Sequence, residues 1–379
     1  MSKRDTTTVD IKESPLFWPT KLKGNILLVL DETLIPQKLR YIKVKNTKQA
    51  VDVIRQMKTR AFGQFLVVMQ TFLLEISAKG ARLPDGQGSA SGGNNVGTEH
   101  CSVPTGILFK RIIKTADALN KSRPTFPFEE VTSLVVGWAR QAIEQNIDIR
   151  TFVPKRINGY LEGIRVRRLE RVRKIAEVLK DGDSVLTHCN VSGELAMAAR
   201  LAKQQSKRVH FFATETRPYF QGSKLTAWEL RRMGADVTLI ADNAVGSVMA
   251  DKLVNKVIVG SDRSCANGDF ANKIGTYQIA VLANEFQIPF YVLTQPSDKI
   301  KTGKDIPVEI RNPQELLTYL KKKTVSGVVS GFYPGFDVVP HELVTEAIAL
   351  DVRASLKPFH VSATQNYSTK PPNESFEAK

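Results

Sequence analysis

The chain has 379 residues, of which 42% are hydrophobic and 24% charged, and it carries a formal net charge of +16. This length exceeds one ordinary core and predicts two folded units with the composition of a soluble globular protein. No apolar run reaches the roughly 18 to 20 residues of a membrane helix, and the N-terminus lacks the apolar core of a signal peptide, so we expect a cytoplasmic protein.

The first 150 residues predict a mainly helical domain. The spacing of apolar residues indicates strands at 26–30 and 39–44, then helices at 48–60, 65–76, 106–119 and 128–145. The segment 83–97 is rich in Gly, Ser and Asn and is predicted to be a disordered loop. Three cysteines, with no Cys-x-x-Cys spacing, predict reduced thiols and no metal site.

An apolar run at 27–30 leads into Asp31-Glu32-Thr33. A phosphohydrolase would need a second acid where Thr33 stands, so a connection between two strands is the better interpretation. No Gly-x-Gly-x-x-Gly follows a strand, and Lys301-Thr302-Gly303-Lys304 lacks the spacing of a phosphate-binding Walker loop. Dinucleotide and ATP chemistry are therefore not predicted.

A long helical pattern at about 154–179 contains the densest cluster of positive charge, at 165–174. Such a cluster can bind nucleic-acid phosphates, but it also forms ordinary solvated helix faces, and no aromatic residues alternate with the cations for base stacking. We favour the solvated face and do not expect a nucleic-acid partner.

The rest of the chain alternates short apolar runs with helical patterns. The runs lie at 184–187, 209–213, 237–240, 257–260 and 290–293. This order predicts a parallel sheet with right-handed crossovers in a domain that spans 151–360, followed by a disordered tail at 361–379. Ligands bind beyond the carboxyl ends of the strands in such sheets, and polar residues follow each run at that edge.

Cys189 follows the first of these runs, just before a helical pattern that starts near 191–193. Free cysteines are often simply buried, but amide groups at a helix start favour the thiolate, and the position beside Asn190 favours a functional role. Strand alternation turns His188 to the opposite face, which indicates a packed or hydrogen-bonded histidine.

Asp262 follows the fourth run at the same predicted edge of the sheet. A poorly solvated carboxylate there has a raised pKa, which suits a group that exchanges protons near neutrality. Helix capping or pairing with Arg263 is the structural alternative. The amide of Asn272 and the ammonium of Lys273 lie close behind in the sequence and suggest sugar or phosphate binding.

These residues resemble the family of methylthioribose-1-phosphate isomerases, which also includes ribose-1,5-bisphosphate isomerases and regulatory subunits of translation initiation factor 2B. The similarity covers nearly all of 180–350 in order, and thinner matches lie upstream at 30–36, at Arg60 and at 122–125. Its main blocks are Leu186-Thr187-His188-Cys189-Asn190, Glu215-Thr216-Arg217-Pro218-Tyr219-Phe220-Gln221-Gly222, Gly260-Ser261-Asp262-Arg263 and the run 266–276.

The resemblance implies an α/β fold, with a Rossmann-like C-terminal domain against a mainly helical N-terminal domain. It implies an aldose–ketose isomerase of methionine salvage that converts 5-methylthioribose 1-phosphate to 5-methylthioribulose 1-phosphate without a cofactor. By motif, Asp262 would exchange protons at the sugar oxygens and Cys189 would lie over the reacting carbons. Arg60 and Arg123 would bind the phosphate, and the remaining sugar and phosphate ligands would be Gln221, Asn272 and Lys273.

Three departures from the family pattern bear on the substrate. Ala61-Phe62-Gly63 replaces the Gly-Ala-Pro that follows the phosphate arginine in the isomerases, and Phe126-Pro127-Phe128 changes the apolar wall after Arg123. The short connection between Cys189 and Glu215 is similar to that of the ribose-1,5-bisphosphate isomerases. The alternatives are an isomerase of ribose 1,5-bisphosphate or of another 5-substituted ribose 1-phosphate and, from another class, a non-catalytic regulatory paralogue of the translation initiation factor 2B subunits. The family also implies a homodimer or a larger homo-oligomer.

Overall fold

The computed structural model describes residues 12–77, 104–123, 126, 128–295, 299–319, 322–327 and 329–350. Its first part is a three-stranded antiparallel sheet followed by helices. The elements are β1 Thr20–Lys23, β2 Ile26–Leu30, β3 Tyr41–Val44, α1 Thr47–Arg55, α2 Ala61–Ser77, α3 Thr105–Asn120 and α4 Phe128–Glu144. The long helix α5, Ile149–Val178, leads to the second part.

The second part is built on a six-stranded sheet whose neighbouring strands are all parallel. In chain order its elements are β4 Ser184–Thr187, α6 Glu194–Gln204, β5 His210–Thr214, α7 Trp228–Arg232, β6 Asp236–Ile240, α8 Val245–Ala250, β7 Lys256–Gly260, β8 Arg263–Ser264, β9 Phe270–Lys273, α9 Thr276–Glu285, β10 Phe290–Thr294, α10 Gln314–Leu317, β11 Thr318–Tyr319, β12 Lys322–Lys323, β13 Phe336–Val339 and β14 Glu346–Ala349. The strand order is β14-β10-β7-β4-β5-β6. The chain therefore reverses its direction of strand addition between β4 and β7, where open sheets of this kind bind ligands.

Side chains alternate between two hydrophobic layers along the central strands. Val185 and Ile258 pack into a cluster with α5, α6 and α7, whereas Leu186 and Val257 pack on the opposite face with α8 and α9. This alternation is the period of two that a strand imposes, and covering helices on both faces explain why β7 is apolar along its middle. The predicted α/β fold class is confirmed.

The structure differs from the prediction in several elements. The edge strand β14 and the small antiparallel sheet β13-β9-β8 were not predicted, because Phe270–Lys273 is polar at its end and pairs with a strand more than 60 residues away. Helix α1 ends at Arg55 rather than at 60, and α5 begins at Ile149, where the Asp148 side chain accepts a hydrogen bond from the Arg150 N–H at 3.0 Å. The predicted loop 83–97 and tail 361–379 lie outside the described residues.

The predicted solvated face on the basic segment of α5 is wrong for two of its arginines. Arg168 and Arg171 are buried, and their Nε atoms lie 2.5 Å from the two carboxylate oxygens of Glu194 at the start of α6. Arg165 pairs with Glu13 nearer the surface. The sequence showed the charges but not their buried partner. Of the helices in the described ranges, none is long and apolar enough to cross a membrane.

Candidate active site

Cys189 and Asp262 follow adjacent strands at the reversal point of the sheet. Cys189 lies two residues beyond β4, and Asp262 lies two residues beyond β7, which pairs with β4 in parallel register. Burial is the main cause of the raised pKa of Cys189, and the negative charge of Asp262 adds to it, so the two groups are close enough to interact electrostatically. The topology therefore brings both residues to one edge of the sheet.

The backbone around Cys189 is held in an uncommon conformation. Its φ is +62°, in the left-handed region, and its N–H donates to the Thr216 hydroxyl at 3.1 Å while its carbonyl accepts from the Thr226 hydroxyl. Such a conformation costs of order 1–3 kcal/mol and persists where surrounding contacts fix it, as they do at many functional sites.

The prediction of a Cys189 thiolate is wrong. Helix α6 begins only at Glu194, five residues downstream, and burial raises the pKa of the Cys189 thiol to about 11, although Lys273 and Arg60 lower it. The group is therefore a thiol near neutral pH.

Asp262 has the raised pKa that its sequence position predicted. Burial is the main cause, and the positive charges of Lys273, Arg123 and Arg263 oppose it. Its own N–H donates to the Ala271 carbonyl at 2.8 Å, which fixes the residue against β9. Asp262 can hence hold a proton at a higher pH than an exposed aspartate does.

Asn272 and Lys273 lie on β9 and are both buried. Lys273 Nζ donates to the Gly335 carbonyl at 3.1 Å, and burial lowers the Lys273 pKa while Cys189 and Asp262 raise it. Asn272 Nδ2 donates to the Thr276 hydroxyl at 3.0 Å. Strand β9, which the sequence did not predict, therefore places the Lys273 ammonium near Cys189 and Asp262.

Arg60 and Gln221 line a cavity of about 230 Å³. Gln221 Oε1 and Arg60 Nε are buried and make no hydrogen bond to any protein atom of the described residues. A ligand with hydroxyl and anionic groups would satisfy both. The other lining residues are Glu32, Thr33, Gln56, Met57, Pro218, Tyr219, Lys224 and Leu225; Cys189 and Asp262 are not among them.

Arg123 is already engaged by protein groups. Its Nη1 donates to Gln64 Oε1 at 3.0 Å, its Nη2 donates to Glu309 Oε2 at 3.3 Å, and its guanidinium lies 5.0 Å from the Phe126 ring centre. Burial lowers the Arg123 pKa, while Glu309 and Asp262 raise it. Arg123 therefore lies within electrostatic reach of Asp262.

His188 is a hydrogen-bonded core residue, as predicted. Its Nδ1 lies 2.7 Å from the Thr214 hydroxyl and its Nε2 lies 2.8 Å from the Ile274 carbonyl. Burial lowers its pKa. His188 thus joins β4 to β5 and to the loop after β9.

Sequence reasoning missed four residues around this site: Glu229, Tyr219, Glu309 and Arg311. Glu229 Oε2 accepts a hydrogen bond from Asn190 Nδ2 at 2.8 Å, and burial raises the Glu229 pKa to about 7. Tyr219 lies inside the motif block that ends at Gly222, and Glu229 follows that block, so the family resemblance could have identified both. No local pattern marks Glu309 or Arg311, which reach the site from a distant loop.

One group of side chains in the described ranges has the composition of a metal site. Its ligand atoms, from Asp269, His341 and Glu342, lie within 4.8 Å of one another. Both Asp269 oxygens already accept hydrogen bonds, one from the N–H and Nδ1 of His341 and the other from Asn267 and Gly303. The group includes none of the predicted site residues.

The fold and the site define a class of protein: a Rossmann-like sheet with a cysteine and an acid at its reversal point. The chain belongs to the initiation factor 2 subunit family, whose sequence model matches residues 102–349. It is 37% identical to a methylthioribose-1-phosphate isomerase of Thermosipho africanus, over 86% of this chain and 91% of that protein.

Two solved structures have the same fold. A 5-methylthioribose 1-phosphate isomerase from Pyrococcus horikoshii superimposes with a TM-score of 0.74 at 26% identity, over 90% of this chain and 94% of that one. A structure described as translation initiation factor eIF-2B, subunit delta, from A. fulgidus gives a TM-score of 0.71 at 30% identity, over 88% of this chain and 94% of that one. The family resemblance predicted from the motifs is confirmed.

Proposed function

We propose that the protein is an aldose–ketose isomerase that converts 5-methylthioribose 1-phosphate to 5-methylthioribulose 1-phosphate. The observation that carries the proposal is the placement of Cys189 and Asp262 on adjacent strand ends, with Lys273 beside them, in a relative of enzymes with that name. The reaction moves hydrogen within one molecule, so it consumes no external oxidant or reductant.

Asp262 exchanges protons with the sugar oxygens. Its raised pKa lets the protonated carboxyl donate to the ring oxygen as the ring opens, and the resulting carboxylate then accepts the proton of the 2-hydroxyl. Hydrogen moves from C2 to C1, which leaves the ketone at C2. Cys189 lies over these carbons as a neutral thiol, and this state fits direct transfer between the carbons better than abstraction by sulfur.

The phosphate and the hydroxyls are held by the five remaining predicted residues. Arg60 and Arg123 bind phosphate oxygens through their guanidinium groups. Gln221, Asn272 and Lys273 bind the opened sugar chain and hold it in a reactive geometry.

Two other functions have some support. Lys224 lines the same cavity as Arg60, so a further cation is present for the second phosphate that ribose 1,5-bisphosphate would bring. The similarity to the A. fulgidus factor favours a regulatory protein without turnover. We rank the regulatory protein last, because the cysteine and the acid that isomerisation needs are both present, and we rank the bisphosphate second, because the relatives are named methylthioribose-1-phosphate isomerases.

The test is to incubate the pure protein with each sugar phosphate and follow ketose formation by NMR. We expect conversion of the methylthio sugar, and retention at C1 of deuterium placed at C2. Asp262→Asn should lower kcat about a thousandfold, the size of a typical general acid–base contribution, with little change in stability. No conversion of either sugar by folded protein would remove the isomerase function, and an active Asp262→Asn variant would remove the role of the acid.

We further propose that the protein works in the cytoplasm as a homodimer or larger homo-oligomer, without nucleic acid. Light scattering on a size-exclusion column measures the assembly directly. Titration with RNA at physiological salt checks the last point, since tight and salt-sensitive binding would contradict it.

A further inference from the structure

A chain of polar side chains joins the two arginines that the proposed function assigns to the phosphate. Arg123 Nη2 donates to Glu309 Oε2 at 3.3 Å, and Arg311 Nη1 donates to Glu309 Oε1 at 3.0 Å. Arg311 Nη2 in turn donates to the hydroxyl of Tyr219, whose ring centre lies 5.0 Å from the guanidinium carbon of Arg60. Arg60 and Arg123 are thus connected through three residues.

Tyr219 is in contact with two cations at once. The Arg311 guanidinium carbon lies 5.1 Å from the ring centre, about the same distance as that of Arg60. Both distances are within the range in which a cation is attracted to an aromatic ring. Burial raises the Tyr219 pKa to about 12, so the hydroxyl stays neutral and can accept the hydrogen bond from Arg311.

The connection is mostly shielded from solvent, and Glu315 holds its middle member, Arg311. The side chains of Arg123, Glu309 and Arg311 are 13%, 20% and 14% exposed. Glu315 accepts hydrogen bonds from Arg311 Nε and Nη2 at 3.1 and 3.0 Å, so all three guanidinium nitrogens of Arg311 are used. A bidentate pair between a guanidinium and a carboxylate fixes the orientation of the arginine as well as strengthening the interaction.

The connection also crosses between the two parts of the fold. Arg60 and Arg123 belong to the N-terminal part, whereas Tyr219, Glu309 and Arg311 belong to the C-terminal part that carries Cys189 and Asp262. The same contacts therefore determine where the two arginines lie relative to the reacting groups.

We propose that Glu309, Arg311 and Tyr219 are positioning residues that fix Arg60 and Arg123 relative to each other, so that both can bind one phosphate group. Glu309 and Arg311 act through the arginines, and Tyr219, whose side chain also lines the cavity, acts through its contacts with Arg60 and Arg311 rather than on the reacting atoms. The proposal rests on the proposed function for the identity of the phosphate ligand. The competing explanation is that Glu309 occupies Arg123 in place of the anion, so that the phosphate must displace it.

The test compares Glu309→Gln, Arg311→Lys and Tyr219→Phe with the wild-type protein. Each is assayed for kcat and KM with the methylthio sugar phosphate, and for the Kd of inorganic phosphate by calorimetry. The matched control is Glu130→Gln, which breaks an exposed ion pair with Lys299 between the same two parts of the fold. Arg311→Lys keeps the positive charge but cannot reproduce the forked hydrogen bonds of the guanidinium group.

We expect KM and the phosphate Kd to rise about tenfold in Glu309→Gln and Arg311→Lys, the size of one lost charge-assisted hydrogen bond. Tyr219→Phe should give a smaller rise, and kcat should stay within about twofold throughout, because ground state and transition state lose the same phosphate contacts. Glu130→Gln should match the wild type.

Three results would overturn the proposal. Unchanged KM with lower kcat would mean that the contacts only keep the protein folded, and a lower KM in Glu309→Gln would support displacement of Glu309 by the anion. A wild-type protein that does not bind phosphate would remove the premise. A wild-type protein that binds phosphate without turnover would refute the proposed function alone, since the phosphate affinities of the variants still measure the effect of the connection.

Discussion

Glu229 is a buried carboxyl next to the loop that carries Cys189. It accepts hydrogen bonds from Ser14 Oγ and from Asn190 Nδ2, and it faces the negative charge of Glu32. Burial is the main reason that its pKa rises from 4.5 to about 7. The ionisation of Glu229 therefore makes the free energy of unfolding depend on pH.

The sign of that dependence follows from proton binding. Between about pH 4.5 and 7 the native state keeps a proton that the unfolded chain releases, so the free energy of unfolding falls as pH rises. The loss is complete above pH 7 and amounts to about 3 kcal/mol. In Glu229→Gln this contribution is absent, because the amide does not titrate. The Ser14 hydroxyl can turn to accept a hydrogen bond from that amide, so the contact is kept.

Urea unfolding of wild type and Glu229→Gln at pH 5 and pH 8 measures the difference, and other carboxyls cancel in the comparison. Glu144→Gln, at the exposed end of α4, is the matched control and should keep the wild-type slope. Equal slopes in wild type and Glu229→Gln would show that Glu229 ionises normally in the folded protein.

At the scale of elements, a buried ion triad joins α5 to α6. Arg168 and Arg171 share Glu194. Arg168 also donates to the backbone carbonyls of Phe17 and Ser192, and Arg171 also donates to that of Thr294. Removing one member of a buried ion pair leaves charge without a partner and costs about 3–5 kcal/mol.

We predict that Glu194→Gln lowers the free energy of unfolding by that amount. Glu177→Gln removes an exposed carboxylate of α5 that lies 4.0 Å from Lys174 of the same helix α5. This control should change the free energy of unfolding by less than about 0.5 kcal/mol. The midpoints of urea unfolding decide between the two cases. A loss below 1 kcal/mol in Glu194→Gln would indicate that water enters and solvates the arginines.

The same triad shows what sequence could and could not predict. Short apolar runs identified five of the six strands of the main sheet, all except the edge strand β14. The ends of β4 and β7 marked Cys189 and Asp262 as neighbours at one edge, because these features are local. Contacts between residues far apart in the sequence could not be predicted, because no local pattern marks them. Examples are the contact of Arg168 with Glu194, that of Arg123 with Glu309, and the pairing of β9 with β13. The thiol state of Cys189 also depends on burial by distant residues.

At the scale of the whole molecule, residues 12–19 hold the two parts of the fold together. Phe17 is fully buried among residues of α5 and α6, while the ring of its neighbour Trp18 packs edge-on against Phe62 of α2, with centres 5.6 Å apart. Gly193 explains why that approach is possible: its φ is +87°, and a Cβ there would lie 2.6 Å from the Phe17 backbone nitrogen. The segment precedes β1 in sequence but fills the core of the C-terminal part.

This arrangement predicts that Phe17→Ala destabilises the protein as strongly as a central core substitution. A large aromatic truncated in a filled core costs about 3–5 kcal/mol, and the Arg168 guanidinium, 4.5 Å from the ring centre, would face the resulting cavity. Leu22→Ala is the matched control, because Leu22 in β1 is 39% exposed and its truncation should cost less than about 1 kcal/mol. Urea unfolding followed by circular dichroism reports both, and equal midpoints for the two variants would mean that residues 12–19 lie on the surface of a core that is complete without them.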